Sequence, residues 1–283
     1  MVSYIKGLFV IIISGSVFFT GCNMGKKGIT ENGIQFDSIS IEKTYHLLEN
    51  PDNPNCNLQA KFVFPVNSKG GDELLKKMQQ QFIADYFGEE YIAYSPSEAM
   101  DKYVEEYLIA YKDLEEDFKT ELQREDKAPI ASWFSYYEMS SNEINYNQNG
   151  FLCYTVYVEN YTGGAHGAHS SVLHVMDVST GDIVTEEDIF VDDYQEVLAK
   201  VLVDEITRQN NLVDAKELEN IGYFSVDEIY PNDNFLIDDT GITYVFNEYE
   251  IATYVVGAIW VHIPFNEIKH LIRRDGAIAN LVF

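Results

Sequence analysis

Positive charge is what this 283-residue chain has least of: 19 lysines and arginines stand against 46 acidic residues, for a formal net charge of −27. Phosphate backbones are gripped by Lys and Arg, so this balance excludes a nucleic-acid binder. It sets the chain against anionic lipid head groups and would speed encounter with basic proteins, although plain solubility is the simpler use of the same charge. Cysteine is also scarce, with three in all, too few for a disulfide-dense scaffold. Beyond residue 19 no apolar run is long enough to span a bilayer. Also missing are a G-x-S-x-G elbow, a Walker loop, an H-E-x-x-H pair and paired C-x-x-C motifs, the patterns that announce acyl hydrolases, nucleotide enzymes and zinc sites. The expectation is a protein without catalytic activity, cofactor or bound metal.

What is present begins with an export signal. Lys6 supplies a positive start, residues 8–19 an apolar run, and Phe19-Thr20-Gly21-Cys22 places small residues before a cysteine. A dozen apolar residues is short for a spanning helix, which needs roughly 20. A cysteine at the cleavage point marks lipoprotein processing, because its thiol can carry a diacylglyceryl group. Residues 1–21 therefore read as a cleaved lipoprotein signal, Cys22 as the lipidated N-terminus, and residues 22–33 as a polar, Gly-containing tether. Several acyl chains would anchor the protein where one would not, and the lipid is the only membrane attachment expected. No acidic cluster follows Cys22, which favours the periplasmic face of the envelope. Removal of Lys6 takes the net charge to −28. The two other cysteines, Cys56 and Cys153, are a candidate disulfide in an oxidising compartment, worth about 4–5 kcal/mol in the chain-entropy model. Two buried free thiols are the alternative.

Along the chain, residues 39–45 and 57–64 alternate like strands around the turn Asn50-Pro51-Asp52-Asn53-Pro54. Residues 72–87 carry Leu75, Met78, Phe82 and Tyr86 at helical spacing. Ser95, Pro96 and Glu98 form a capping box at the start of a longer helix. Its apolar stripe runs from Met100 through Tyr107 and Tyr111 to Leu122; such a stripe is more often core, with a ligand-binding aromatic face as the alternative. From residue 130 the period becomes two. Residues 133–146 and 151–161 flank Asn147-Gln148-Asn149-Gly150 as a hairpin, and 172–178 is a further strand. A helix over 194–208 turns Val197, Leu198, Val201, Leu202 and Ile206 inward. Strands over 235–237, 242–246 and 258–263 lead to a short helix from Pro264. The pattern predicts an α+β fold with mostly antiparallel sheets and two or three packed helices, as a compact unit of two subdomains. The expected division is 34–160 and 161–283.

The candidate binding residues sit in two places. Tyr161-Thr162-Gly163-Gly164-Ala165-His166-Gly167 puts three glycines in five residues between two strands. That allows positive φ and an anion-binding nest with His166 at its edge, or simply a tight connection. His166, His169 and His174 lie close in sequence, but the odd spacing of His169 and His174 points them to opposite faces of a strand, against a metal site.

The glycine loop, followed by Phe246-Asn247-Glu248-Tyr249-Glu250-Ile251-Ala252-Thr253-Tyr254-Val255-Val256-Gly257 and Val261-His262-Ile263-Pro264-Phe265, and preceded by a strand ending in Phe64-Pro65, resembles the extracytoplasmic domains of the RsiV type. These occur in the lysozyme-sensing anti-sigma factor of Gram-positive bacteria and ahead of the catalytic domain in PdaC-type peptidoglycan deacetylases. The resemblance spans roughly residues 40–272 and divides them into a PdaC-like and an RsiV-like part. It implies an α+β envelope domain that binds protein, in one branch lysozyme, whose basicity suits an acidic partner. Without a sigma-binding segment or an appended deacetylase domain, the chain is expected to be a stand-alone lipoprotein that acts at the envelope itself. The contact surface would include Tyr161, Gly163, Gly164, His166, Gly167, Tyr249, Glu250 and Tyr254. The alternative ligand is a peptidoglycan or carbohydrate fragment.

Overall fold

Strand alternation and helix caps position everything else. The computed structural model describes residues 32–124 and 130–283, so Cys22, the signal and nearly all of the tether lie outside the described residues. The first sheet holds β1 (Gln35–His46), β2 (Asn55–Asn67), β3 (Tyr136–Gln148), β4 (Phe151–Tyr161) and β5 (Ala168–Asp177) in that spatial order. All its pairs are antiparallel except β2 with β3. A parallel pair needs a crossover, and three helices provide it: α1 (Asp72–Phe87), α2 (Pro96–Lys112) and α3 (Glu115–Leu122). Next come α4 (Glu186–Ile189) and α5 (Gln195–Gln209), then a second, antiparallel sheet of β6 (Phe235–Ile237), β7 (Gly241–Phe246) and β8 (Ile259–Pro264). Two short helices close the chain, α6 (Phe265–Ile268) and α7 (Ala279–Val282). Among the described residues no helix is long and apolar enough to cross a membrane. The fold is α+β.

Two cores meet at β4, one on each of its faces. Leu58, Ala60 and Phe62 of β2 and Leu152, Tyr154 and Val156 of β4 face Met78, Phe82 and Ile83 of α1 and Met100 of α2. Phe82 stacks on Tyr154 with ring centroids 4.0 Å apart. The alternate residues of β4, Phe151 and Cys153, turn to the opposite face and join Val175, Ile237, Ile242, Leu198, Leu202 and Ile206 in the second core. This explains why residues 151–156 are buried without interruption: each face of β4 has its own partner layer.

Around Ser171 and Leu173 the outer edge of β5 is closed by side chains instead of a strand. Asn234 accepts from the Leu173 amide (2.8 Å) and donates to the carbonyls of Ser171 (2.9 Å) and Val245 (3.2 Å). Asn247 accepts from the Ser171 amide (2.7 Å) and donates to the Ser171 carbonyl (3.1 Å). These asparagines satisfy strand groups that burial would otherwise strand, and they pin the second sheet to the first.

Three expectations are corrected. The single long helix is broken: α2 ends at Lys112, and α3 turns Phe118 toward Leu47, Cys56 and Phe134 in a small separate cluster. Val197 is exposed, because the face of α5 that is buried is the Leu198–Leu202–Ile206 stripe. The β4–β5 hairpin, whose register runs from Phe151–Asp177 to Asn160–Ala168, spans the expected division at residue 160. Finally, Cys56 and Cys153 are both free and buried. No bridge joins them because they belong to different cores, and the Cys153 thiol points at the Ile237 carbonyl. Burial pushes both thiols up, Cys153 to about 12, so both stay protonated and inert.

Candidate functional site

The connection from β4 to β5 and the turn after β7 meet beyond the end of the first sheet. In the first, Gly163 and Gly164 have φ of 87° and 115°, where a side chain is strained. A Cβ on Gly167 would lie 2.9 Å from the Tyr137 hydroxyl and 3.0 Å from the Asn160 carbonyl. The glycines thus serve close backbone approach, and the loop delivers His166 outward. Tyr161 ties it down by donating to the Gly164 carbonyl (2.9 Å).

Two of the expected residues from the second segment come to His166. Its ring stacks on Tyr254 at 3.8 Å between centroids, and its Nε2 lies 3.2 Å from the Tyr249 hydroxyl. His166 Nδ1 donates to the Gly167 carbonyl (2.8 Å), which leaves Nε2 to accept from Tyr249. Tyr249 and Tyr254 stand 5.8 Å apart. Tyr249 is exposed and has φ of 67°, an uncommon conformation for a bulky residue and a mark of local constraint. Next to Tyr254, Val255 is 88% exposed. Glu250 turns away and accepts from Asn232 (2.9 Å). Tyr161 stacks on Tyr137 at 6.1 Å.

Four members were missed by sequence reasoning: Tyr137, Glu159, His169 and Glu248. His169 sits between two carboxylates, with Nδ1 2.9 Å from Glu248 and Nε2 3.7 Å from Glu159. The Tyr137 hydroxyl donates to Glu159 (3.0 Å), and this bond, more than burial, holds the Tyr137 hydroxyl above its ordinary range. Burial and then the Glu248 carboxylate raise Tyr254. The signal for three of them was the two-residue period: Tyr137, Glu159 and His169 share one sheet face once the register pairs Glu159 with His169. The cluster therefore offers aromatic faces beside carboxylates, an environment that attracts a cationic side chain.

His174 does face away from His169. It packs against Tyr154 at 5.0 Å, with Nδ1 3.6 Å from Asp85. Among the described residues no group of three His, Cys, Asp or Glu side chains could hold a metal ion.

A model of the family described as a protein of unknown function, DUF3298, matches residues 187–266. No curated protein matches the sequence. The crystal structure of a DUF3298 member from Bacteroides fragilis is similar at 31% identity, covering 88% of this chain and 98% of that one with a TM-score of 0.83. A DUF3298 protein from Pseudomonas aeruginosa shares the fold at 14% identity and a TM-score of 0.55, over 87% of this chain and 97% of its own. The chain belongs to the DUF3298 family.

Proposed function

We propose that this protein is a non-catalytic, lipid-anchored envelope component that binds a basic protein partner, with lysozyme as the first candidate. The carrying observation is the exposed cluster itself. Val255 projects beside the His166–Tyr254 stack and the strained Tyr249, with Glu159 and Glu248 at the border. An apolar, aromatic centre inside a charged rim is how protein interfaces are built. The net charge of −27 supplies steering toward a cationic surface. The resemblance to RsiV-type and PdaC-type domains supports the same reading, and the Phe19-Thr20-Gly21-Cys22 sequence supports anchoring through lipid on Cys22, on the periplasmic side.

The test is calorimetric titration of the full chain, held in detergent, with lysozyme at low and moderate salt. Binding should weaken as salt screens the approach, and Tyr254→Ala should weaken it about tenfold, the loss expected of an aromatic anchor. Absence of binding at micromolar protein sinks the lysozyme reading.

A further inference from the structure

We propose that the uncovered face of the first sheet is a binding trough for a neutral, linear oligosaccharide. Helices α1 and α2 cover one face through Leu58, Ala60 and Phe62. The second sheet covers only part of the other, at Cys153 and Val175. The rest of that face lines an open trough of about 690 Å3 that crosses all five strands, roughly 19 Å at the usual strand spacing. That length suits an extended oligomer and exceeds what a single small metabolite needs.

Its floor names the ligand chemistry. One short or amide side chain per strand, Ser40, Gln59, Ser141 and Ser171, alternates with Tyr157 on β4. Serine where an exposed strand usually carries a longer side chain is what lowers the floor. Among the described residues, Ser40, Gln59 and Ser141 use their side chains in no hydrogen bond, and Lys61 and Glu42 form no ion pair across it. These groups both donate and accept, as sugar hydroxyls do. Met139, 40% exposed, and the Tyr157 ring give apolar surface for the carbon faces of sugar rings. A trough with Lys61 offset by Glu42 and Glu159, in a chain this acidic, fits neither a polyanion nor a purely apolar guest.

This trough shares Glu159 and His169 with the aromatic cluster but stands or falls independently of protein binding there. Its own residues, Gln59 and Ser141, lie on β2 and β3.

The test uses the full chain in a detergent without a sugar head group, titrated with tetramers of N-acetylglucosamine, of glucose and of galacturonate. At least one neutral tetramer should bind, and galacturonate should not; which neutral tetramer wins identifies the source. Ser141→Trp, which fills the trough, and Gln59→Ala, which removes two hydrogen-bonding groups, should each weaken that binding at least tenfold, while Tyr254→Ala leaves it unchanged. Failure of both neutral tetramers at millimolar ligand overturns the proposal. So does binding indifferent to both trough variants, or a dimer in solution that buries Gln59 and Ser141 against a second copy.

Discussion

Replacing Asn234 by alanine should destabilise the protein more than its partly exposed position suggests, and the structure says by how much. The side chain makes three hydrogen bonds to backbone: it accepts from Leu173 N and donates to the carbonyls of Ser171 and Val245. Leu173 is buried, so its amide loses its partner in a place water reaches poorly. A stranded group of that kind costs about 1–3 kcal/mol. Asn247→Ala strands the Ser171 amide in the same way and should cost about as much. The double variant is the sharper test. The Ser171 carbonyl keeps one donor in either single variant and loses both in the double. The combined loss should therefore exceed the sum by about 1 kcal/mol. Asn234→Asp separates the roles: it keeps an acceptor for Leu173 N but gives up the donor, so it should fall between wild type and alanine. Urea unfolding followed by circular dichroism reads the midpoints. Hydrogen exchange at the Leu173 amide should quicken in Asn234→Ala before any global loss. Single-variant losses under about 0.5 kcal/mol, or strict additivity, would refute the idea that asparagine side chains replace a sixth strand.

Further outcomes follow from other sites. Burial depresses the His174 pKa, against the opposing pull of Asp85. The unfolded chain then takes up the proton more readily, so stability should fall as pH drops below about 6.5, and His174→Gln should flatten the urea midpoint between pH 7.5 and 5. Phe82→Ala opens a cavity under Tyr154 and should cost about 3–5 kcal/mol by the same assay. Gly241→Ala would bring a Cβ within 2.2 Å of the Ile263 carbonyl, and expression with a lowered melting temperature should report the β7–β8 displacement. Native protein should resist alkylation at Cys56 and Cys153 until unfolded, as peptide mass would show. Cys22→Ser should abolish incorporation of labelled palmitate.

Local chemistry was readable where it is dictated locally. Ser95 and Glu98 form the capping box that opens α2, α1 spans residues 72–87 as its periodicity requires, and Asn149-Gly150 closes the β3–β4 hairpin with both residues at positive φ. The break between α2 and α3 was not readable. The apolar stripe continues through it without a proline or glycine, and only the need of Phe118 for Phe134 and Leu47 turns the chain. The same distinction governs the site. Glycines and tyrosines marked His166, Tyr249 and Tyr254, whereas Glu159 and His169 meet only through strand register and Glu248 joins them from the turn after β7. The parallel β2–β3 pair was likewise invisible, because alternation within a strand says nothing about the direction of its neighbour.

The double allegiance of β4 limits how this chain could have been assembled or divided. Leu152 and Tyr154 serve one core while Phe151 and Cys153 serve the other. A segment such as 187–266, moved alone into another protein, would keep Leu198, Leu202 and Ile206 against Ile237 and Ile242 but lose the wall that Phe151, Cys153 and Val175 supply. It would have to borrow a wall from its new host or bring β4 and β5 along. Unfolding should obey the same logic, since neither layer can melt without baring one side of a strand the other still holds. Inheritance, excision and denaturation should all treat the molecule as one indivisible piece.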